Sequence, residues 1–378
     1  MSVWDQVVGQ HAAREQFLRA AEPGANLAQA WLIAGPPGSG RSLAARAFAA
    51  TLQCENGGGC GTCHACRTVL AGTHPDVTVM ATDTLSIAKD EVRSLVALAQ
   101  RSPATGNYRV VIIEDADRMS AGTFNVLLKA IEEPPPRTIW MLCVPSAQDM
   151  AQTIRSRCRV LTLITPAPQD VMQLLVERDG ASPEAASRAA RAAQGHIGIA
   201  KRYVTDPEAL QAREDAARRL LQMTSVGHAV LYAQELVDAA NAEAKAEADA
   251  TAQKQREEFL RATGQEAGGR VPPQLRAQFK QLEDEAKKRA TRLVRDVIDR
   301  YLLDIHSVFR DVLTLQLNAQ TDLINEGVRT ELAERASYAT PQSTLALLNG
   351  VGTARERIAG NVPPMLALEA LLSQAALG

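Results

Sequence analysis

Aromatic residues are scarce in this chain: phenylalanine, tryptophan and tyrosine together make up 4% of its 378 residues. Apolar residues still reach 46%, and alanine and leucine dominate them, so helices should prevail. No run of about 18 apolar residues occurs, so no transmembrane helix and no membrane partner are expected. The opening MSVWDQVVGQ lacks a basic stretch followed by an apolar one, so no signal segment is expected and the chain reads as cytoplasmic. An excess of one charge is lacking too. Lysine and arginine number 41 against 43 aspartates and glutamates, a net charge of −2. No basic body announces nucleic acid, and any DNA contact must use a local patch or come through partners. Disulfide-type spacing is missing as well: of six cysteines, four lie between residues 54 and 66, which favours metal binding in a reducing compartment.

A chain of 378 residues is too long for one core, so two or three domains are expected. Five short apolar runs stand between residues 30 and 164: AWLIA at 30–34, VTVM at 77–80, VVII at 110–113, IWMLCV at 139–144 and VLTLI at 160–164. Runs without alternation suit strands buried on both faces, hence a parallel sheet covered by helices. After Pro166 the strand signal stops. Residues 167–206 read as a small helical unit with helices near 168–178 and 182–193 and a break at Gly195. From about 207 the pattern is helical to the end. Residues 228–262 and 274–316 read as two long charged helices joined by the loop GQEAGGRVPP at 264–273, either an antiparallel hairpin or a solvated face without a partner.

Residues 35–42 read Gly35-Pro36-Pro37-Gly38-Ser39-Gly40-Arg41-Ser42, after an apolar run and before the helical SLAARAFAATL. That is the context a G-x-x-x-x-G-K-[ST] phosphate loop requires. Glycines let backbone N–H groups curl around phosphates, and the helix N-terminus favours anions. The lysine of the motif is replaced by Arg41. A guanidinium is longer, planar and forked, so it cannot occupy the place of a compact ammonium. ATP or ADP with Mg²⁺ is the ligand such a loop would take; the alternative is a relic loop that binds nothing. Cys54, Cys60, Cys63 and Cys66 have the spacing C-x5-C-x2-C-x2-C, with Gly57, Gly58, Gly59 and Gly61 supplying tight turns. Four thiolates suit a tetrahedral Zn²⁺ site and leave no open position for water, so a structural ion is expected. His64, His74, Cys143 and Cys158 read as bystanders.

Over residues 1–165 the chain resembles the clamp-loader subunits of the bacterial replicase, members of the AAA+ superfamily. The likeness is carried by Val8-Gly9-Gln10, the phosphate loop, the cysteine cluster, Ile113-Glu114-Asp115-Ala116-Asp117, Asn125-Val126-Leu127-Leu128-Lys129, Glu132-Glu133-Pro134-Pro135 and Ser156-Arg157-Cys158. It is weaker over 166–206. In the tail it rests on Asn361-Val362-Pro363-Pro364-Met365-Leu366-Ala367-Leu368-Glu369. The resemblance implies an α/β AAA+ module of the P-loop NTPase type (1–165, with the zinc module at 54–66), a small helical lid (166–206) and an all-α collar (207–378) carrying a helical hairpin at about 228–316. It implies gamma/tau and delta clamp-loader subunits as partners, with the sliding clamp and primer-template DNA within the complex.

The family holds ATP-hydrolysing motors, gamma/tau, and a related stator, and four stretches bear on the choice. Arg41 replaces the lysine. Glu114-Asp115 stands where motors carry Asp-Glu, one carboxylate holding water around Mg²⁺ and the other positioning the attacking water. Val144-Pro145 stands where motors place a polar sensor threonine, and Gly198 where their lid carries an arginine. The resemblance therefore implies a weak nucleotide site (Gly35, Gly38, Gly40, Arg41, Ser42, Glu114, Asp115) and little turnover by the chain itself. Arg157 survives, and the family pattern gives it the role of an arginine finger acting on a neighbour's ATP. Two rivals remain: an active gamma/tau-like motor, and a zinc-dependent DNA-binding module, against which the low net charge counts.

Overall fold

The computed structural model describes residues 2–22, 24–81, 86–262 and 276–377; for residues 121, 254–256 and 258–289 nothing is described beyond the backbone. The expected loop at 264–273 lies outside the described residues. The chain divides into two compact units with the boundary between Asp206 and Pro207.

The first unit is built on five parallel strands, β1 (Ala30–Ala34), β2 (Val77–Met80), β3 (Arg109–Ile113), β4 (Thr138–Val144) and β5 (Arg159–Thr162), in the order β2-β3-β4-β1-β5. Pairings such as Leu32 with Leu142 and Ile112 with Met141 hold the register. Helices α1 (His11–Ala20), α2 (Arg41–Gln53), α3 (His64–Leu70), α4 (Lys89–Ala99), α5 (Ala121–Glu132) and α6 (Gln152–Arg155) connect the strands. Strand side chains alternate between faces. Trp31, Ile33, Val110, Ile112, Ile139 and Met141 therefore pack into one apolar layer with α1 and α2, and Leu32, Val111, Ile113, Trp140 and Leu142 into another with α4 and α5. β1, β3 and β4 are buried throughout, which explains their unbroken apolar sequences. The last run behaves differently. β5 lies at the sheet edge, its Val160 is 40% exposed and Ile164 just beyond it is 62% exposed, so burial on both faces does not extend to it.

The few aromatic residues are concentrated. Trp4, Phe17, Trp31 and Phe48 form one cluster, with ring centroids 5.7 Å apart for Trp4–Phe17, 4.3 Å for Phe17–Phe48 and 5.0 Å for Trp31–Phe48. The cluster anchors the N-terminal turn and α1 to the helix that follows the phosphate loop. Still within the first unit, α7 (Pro168–Asp179), α8 (Pro183–Ala192) and α9 (Ile197–Thr205) pack around Val171, Leu175, Ala186, Ala189, Ala190 and Ala200. Pro168 and Pro183 sit in the first turns of their helices, where their missing N–H costs nothing. α9, beyond the break at Gly195, was not among the expected helices.

The second unit is helical: α10 (Pro207–Leu221), α11 (Val226–Ala262), α12 (Arg276–Gln316), α13 (Arg329–Tyr338), α14 (Pro341–Ala359) and α15 (Pro364–Leu377). α11 and α12 pack on each other, α11 also on α15 and α12 also on α14. Along residues 229–248 and 297–312 the long pair is therefore not a solvated face without partners. Ala229, Ala233, Ala240, Ala244 and Ala248 form a buried stripe of small residues along α11, and Val297, Ile298, Leu302, Ile305, Val308 and Phe309 bury the opposing stretch of α12. A polar network crosses this core: Arg213 pairs with Asp304 at 2.7 Å, and Asn325 donates from its backbone and side chain to Asp311 at 2.7 and 2.9 Å.

Candidate functional site

The phosphate loop leaves the buried end of β1 and enters α2. Gly35 N donates to Val144 O at 3.1 Å, tying the start of the loop to the end of β4. Gly38 and Gly40 have φ of +80° and +86°, a conformation that favours glycine, and Gly40 caps α2. The loop is tightly packed by its own chain. A methyl group built on Gly35 would lie 2.6 Å from Ser39 Oγ, and one built on Gly38 would lie 2.6 Å from Cγ of His196. His196 caps α9, accepting from Ile199 N through Nδ1 at 3.3 Å.

The two carboxylates at the end of β3 face α2. Arg46 pairs with Glu114 at 3.2 Å, and Arg41 lies 3.5 Å from Asp115 while its Nη1 donates a short hydrogen bond to Gly35 O. Asp115 has φ +48°, a left-handed conformation that aspartate tolerates better than most residues, and Arg118 also approaches it at 3.5 Å. Next along, burial and then the charge of Asp115 push the Asp117 carboxyl above its usual range. Gly35, Gly38, Gly40, Arg41, Glu114 and Asp115 are thus brought together, with Ser42 in the first turn of α2. The guanidinium of Arg41 spans the loop carbonyl and a carboxylate, which a single ammonium cannot do with the same fork. Val144 is fully buried at the end of β4, and a methyl group on Gly198 would lie 3.3 Å from His196 Cε1. Cys143 beside them is fully buried, and burial pushes its thiol up to about 12.

Two residues of this site carried no expected role. Gln10 donates from Nε2 to Ser39 O at 3.3 Å and to Ile164 O at 2.6 Å, and accepts from Ile164 N at 3.1 Å. One buried amide therefore ties the phosphate loop to the segment that leads into α7. Its only sequence signal was its place in Val8-Gly9-Gln10. His196 had a signal in the glycines flanking it, Gly195 and Gly198.

Arg157 lies away from this cluster, in the turn between α6 and β5. It pairs with Glu132 at 2.6 Å, donates to Thr153 O at 2.8 Å, and is 40% exposed. Cys158 beside it packs into the layer of α4 and α5, and burial pushes its thiol up to about 12.

The four cysteine sulfurs converge, all within 4.8 Å of one another. Tetrahedral Zn–S bonds of about 2.3 Å place sulfurs roughly 3.8 Å apart, so the set fits such an ion with small adjustments. Backbone N–H groups already point at the sulfurs: Cys60 N to Cys54 Sγ at 3.3 Å, Cys63 N to Cys60 Sγ at 3.4 Å, and Cys66 N to Cys63 Sγ at 3.4 Å. Such donors stabilise thiolates. Hydrogen bonds from Thr62 and from backbone groups lower the Cys60 thiol to about 5, while burial raises Cys66. No histidine joins the group among the described residues. His74 instead accepts from Asp76 N at 3.1 Å. The loop is fastened to the N-terminus by Val3 N, which donates to Gly59 O at 3.0 Å, and the same N-terminal turn is tied to α2 by Trp4 Nε1, which donates to Thr51 Oγ1 at 3.1 Å.

A parallel sheet in this order, a glycine loop between β1 and α2, carboxylates at the end of β3 and a helical unit closing on the loop define a phosphate-loop module of the AAA+ class. The family model described as "DNA polymerase III, delta subunit" matches residues 9–167. Over 136 residues the chain is 38% identical to DNA polymerase III subunit delta' of Pseudomonas aeruginosa, covering 35% of this chain and 42% of that protein. Over 203 residues it is 32% identical to DNA polymerase III subunit tau of Escherichia coli, covering 50% of this chain and 31% of that protein. The chain thus spans less than half the length of these curated relatives. Among solved structures, the RuvB Holliday junction branch migration motor of Thermotoga maritima aligns with a TM-score of 0.40 at 16% identity, over 54% of this chain and 63% of that one. Residues 9–167 carry a sequence of the delta' type.

Proposed function

We propose that this chain is the delta'-type stator of a replicative clamp loader, and that it lends Arg157 to ATP bound in an adjacent gamma/tau subunit rather than hydrolysing ATP itself. One contrast carries the reading. Arg41, at the motif's lysine position, is engaged with Gly35 O and Asp115 inside its own loop, whereas Arg157 is half-exposed and bonded to none of the loop residues. A guanidinium donated across a subunit boundary stabilises charge on the transferring phosphoryl group, worth on the order of 10³–10⁵ in rate in GTPases. On this reading the first unit comprises an AAA+ module (1–165) and a lid (166–206), and residues 207–378 form a collar that joins the delta and gamma/tau subunits. ATP binding in the ring then favours a shape that holds an open sliding clamp and primer-template DNA, and hydrolysis releases both. Cys54, Cys60, Cys63 and Cys66 would hold a structural Zn²⁺.

The test is Arg157→Ala in the reconstituted complex. Assembly should persist while DNA-stimulated ATP hydrolysis falls by at least tenfold; an unchanged rate refutes the trans role. The likeness to tau keeps a second reading open, an intrinsic motor. The purified chain with ATP, Mg²⁺ and primed DNA decides it, because turnover near one per second would favour the motor and negligible turnover the stator.

A further inference from the structure

Arg157 is not loose on the surface. Its Nε lies 2.6 Å from Oε1 of Glu132, and its Nη1 donates to Thr153 O at 2.8 Å and to Ser156 Oγ at 3.4 Å. Two of the three guanidinium nitrogens are thus held by the chain, and among the described residues Nη2 donates no hydrogen bond. Both side chains of the pair are 40% exposed, so another protein can reach them.

Glu132 is poorly placed for its own helix. It is the last residue of α5, where the backbone carbonyls concentrate partial negative charge, and Glu133 follows as the cap. A carboxylate at that end is disfavoured, whereas a cation is favoured. α5 itself therefore gives no reason for a carboxylate at 132. Among the described residues, the one group that Glu132 holds is Arg157.

We infer that Glu132 is a positioning residue for Arg157. It fixes the guanidinium through Nε, in one rotamer, and leaves Nη2 as the donor available to a phosphate oxygen of a nucleotide in the neighbouring subunit. An unheld arginine would have to lose its rotamer freedom at the moment of contact; a held one has already lost it, so less is given up on docking. The charge of the guanidinium is retained, because an exposed pair in water neutralises its partner only weakly. This inference rests on the trans reading of Arg157 above.

The experiment uses the reconstituted complex with Glu132→Ala, Glu132→Asp, Arg157→Ala and the double variant, and measures kcat and KM for ATP in DNA-stimulated hydrolysis, with assembly checked by gel filtration. Glu132→Ala should lower kcat roughly two- to fivefold, the scale of an exposed ion pair, with KM and assembly unchanged. Glu132→Asp should restore part of the loss, and the double variant should be no slower than Arg157→Ala alone. In the isolated full-length chain, the Arg157 Nε–H resonance should shift in Glu132→Ala. A loss that persists in the Arg157→Ala background would mark Glu132 as structural and overturn the inference. So would a full rate in Glu132→Ala beside a slow Arg157→Ala. If Arg157→Ala itself keeps the full rate, the trans reading fails first, and a shifted Nε–H resonance would then show a pair that positions nothing catalytic.

Discussion

Removing the carboxylate of Asp76 should destabilise the first unit more than any single change at its surface. Asp76 sits just before β2 with no exposure. Its oxygens accept from Ala104 N at 2.7 Å, Thr105 N at 2.8 Å and Gly106 N at 2.7 Å, and lie 3.1 Å from Nη2 of Arg109. Arg109 is itself buried and reaches Pro75 O and Ser102 O. One carboxylate therefore organises the whole turn that leads into β3. Asp76→Ala leaves the guanidinium without its counter-charge, and breaking a buried pair in this way costs about 3–5 kcal/mol. Each stranded amide would add about 1–3 kcal/mol if it stayed dry. The loop can turn those amides to solvent, so about 4 kcal/mol is expected in all, out of a total stability of about 5–15 kcal/mol. At about 2–4 °C per kcal/mol for a unit of this size, the melting temperature should fall by roughly 8–16 °C.

The same carboxylate predicts a pH dependence. Burial alone would raise its pKa, but the three backbone donors and Arg109 outweigh burial and lower it from 3.8 to about 2. A folded-state value below the unfolded one means the stabilisation is complete above about pH 4 and drains away as pH falls toward 2, a loss of about 2 kcal/mol. Calorimetric melts of the full chain between pH 2 and pH 5, with Asp76→Asn alongside, should show the slope in the native protein and a flatter profile in the variant. A melting point for Asp76→Ala within about 2 °C of the native protein, or an unchanged slope in Asp76→Asn, would refute the reasoning.

Two further outcomes can be checked on the same material. Metal analysis should find one zinc ion per chain, and chelation should speed hydrogen exchange at the Val3 amide, which donates to Gly59 O at 3.0 Å; no zinc, or an unaltered Val3 rate, would undo this. Gly38→Ala combines a strained φ of +80° with a methyl group 2.6 Å from His196 Cγ, so thermal unfolding should show a loss of about 1–3 kcal/mol, and a neutral result would mean that α9 does not rest on the loop.

The strands, the phosphate loop and the thiol cluster were legible because each is a local pattern. An apolar run marks burial on two faces, glycines at fixed steps mark a turn around an anion, and C-x2-C steps bring sulfurs together. Edge position is not local, which is why VLTLI read like the interior strands although β5 pairs with β1 alone. The contacts that seat the loop are less local still. Gln10 meets Ile164 across 154 positions of sequence, and Gly38 meets His196 only because α9 folds back. Asp76 carried no signal at all, since its partners are mostly backbone amides, which every sequence has.

Arg41 shows how a local reading can be right about a residue and incomplete about its physics. By motif alone it is a lysine lost, and the inference from it is weaker handling of phosphate. In the folded chain its guanidinium bonds Gly35 O and lies 3.5 Å from Asp115, while Arg46 takes Glu114. The two carboxylates at the end of β3 are each matched by an arginine of α2. A lysine at 41 would keep the positive charge but lose the fork that reaches Gly35 O and Asp115 together, so a change there alters the loop's internal hydrogen bonding as well as its reach. The pairing of Arg46 with Glu114, the left-handed turn at Asp115 and the packing of His196 on Gly38 do not involve the side chain at 41, so the loop's internal contacts extend well beyond that one position.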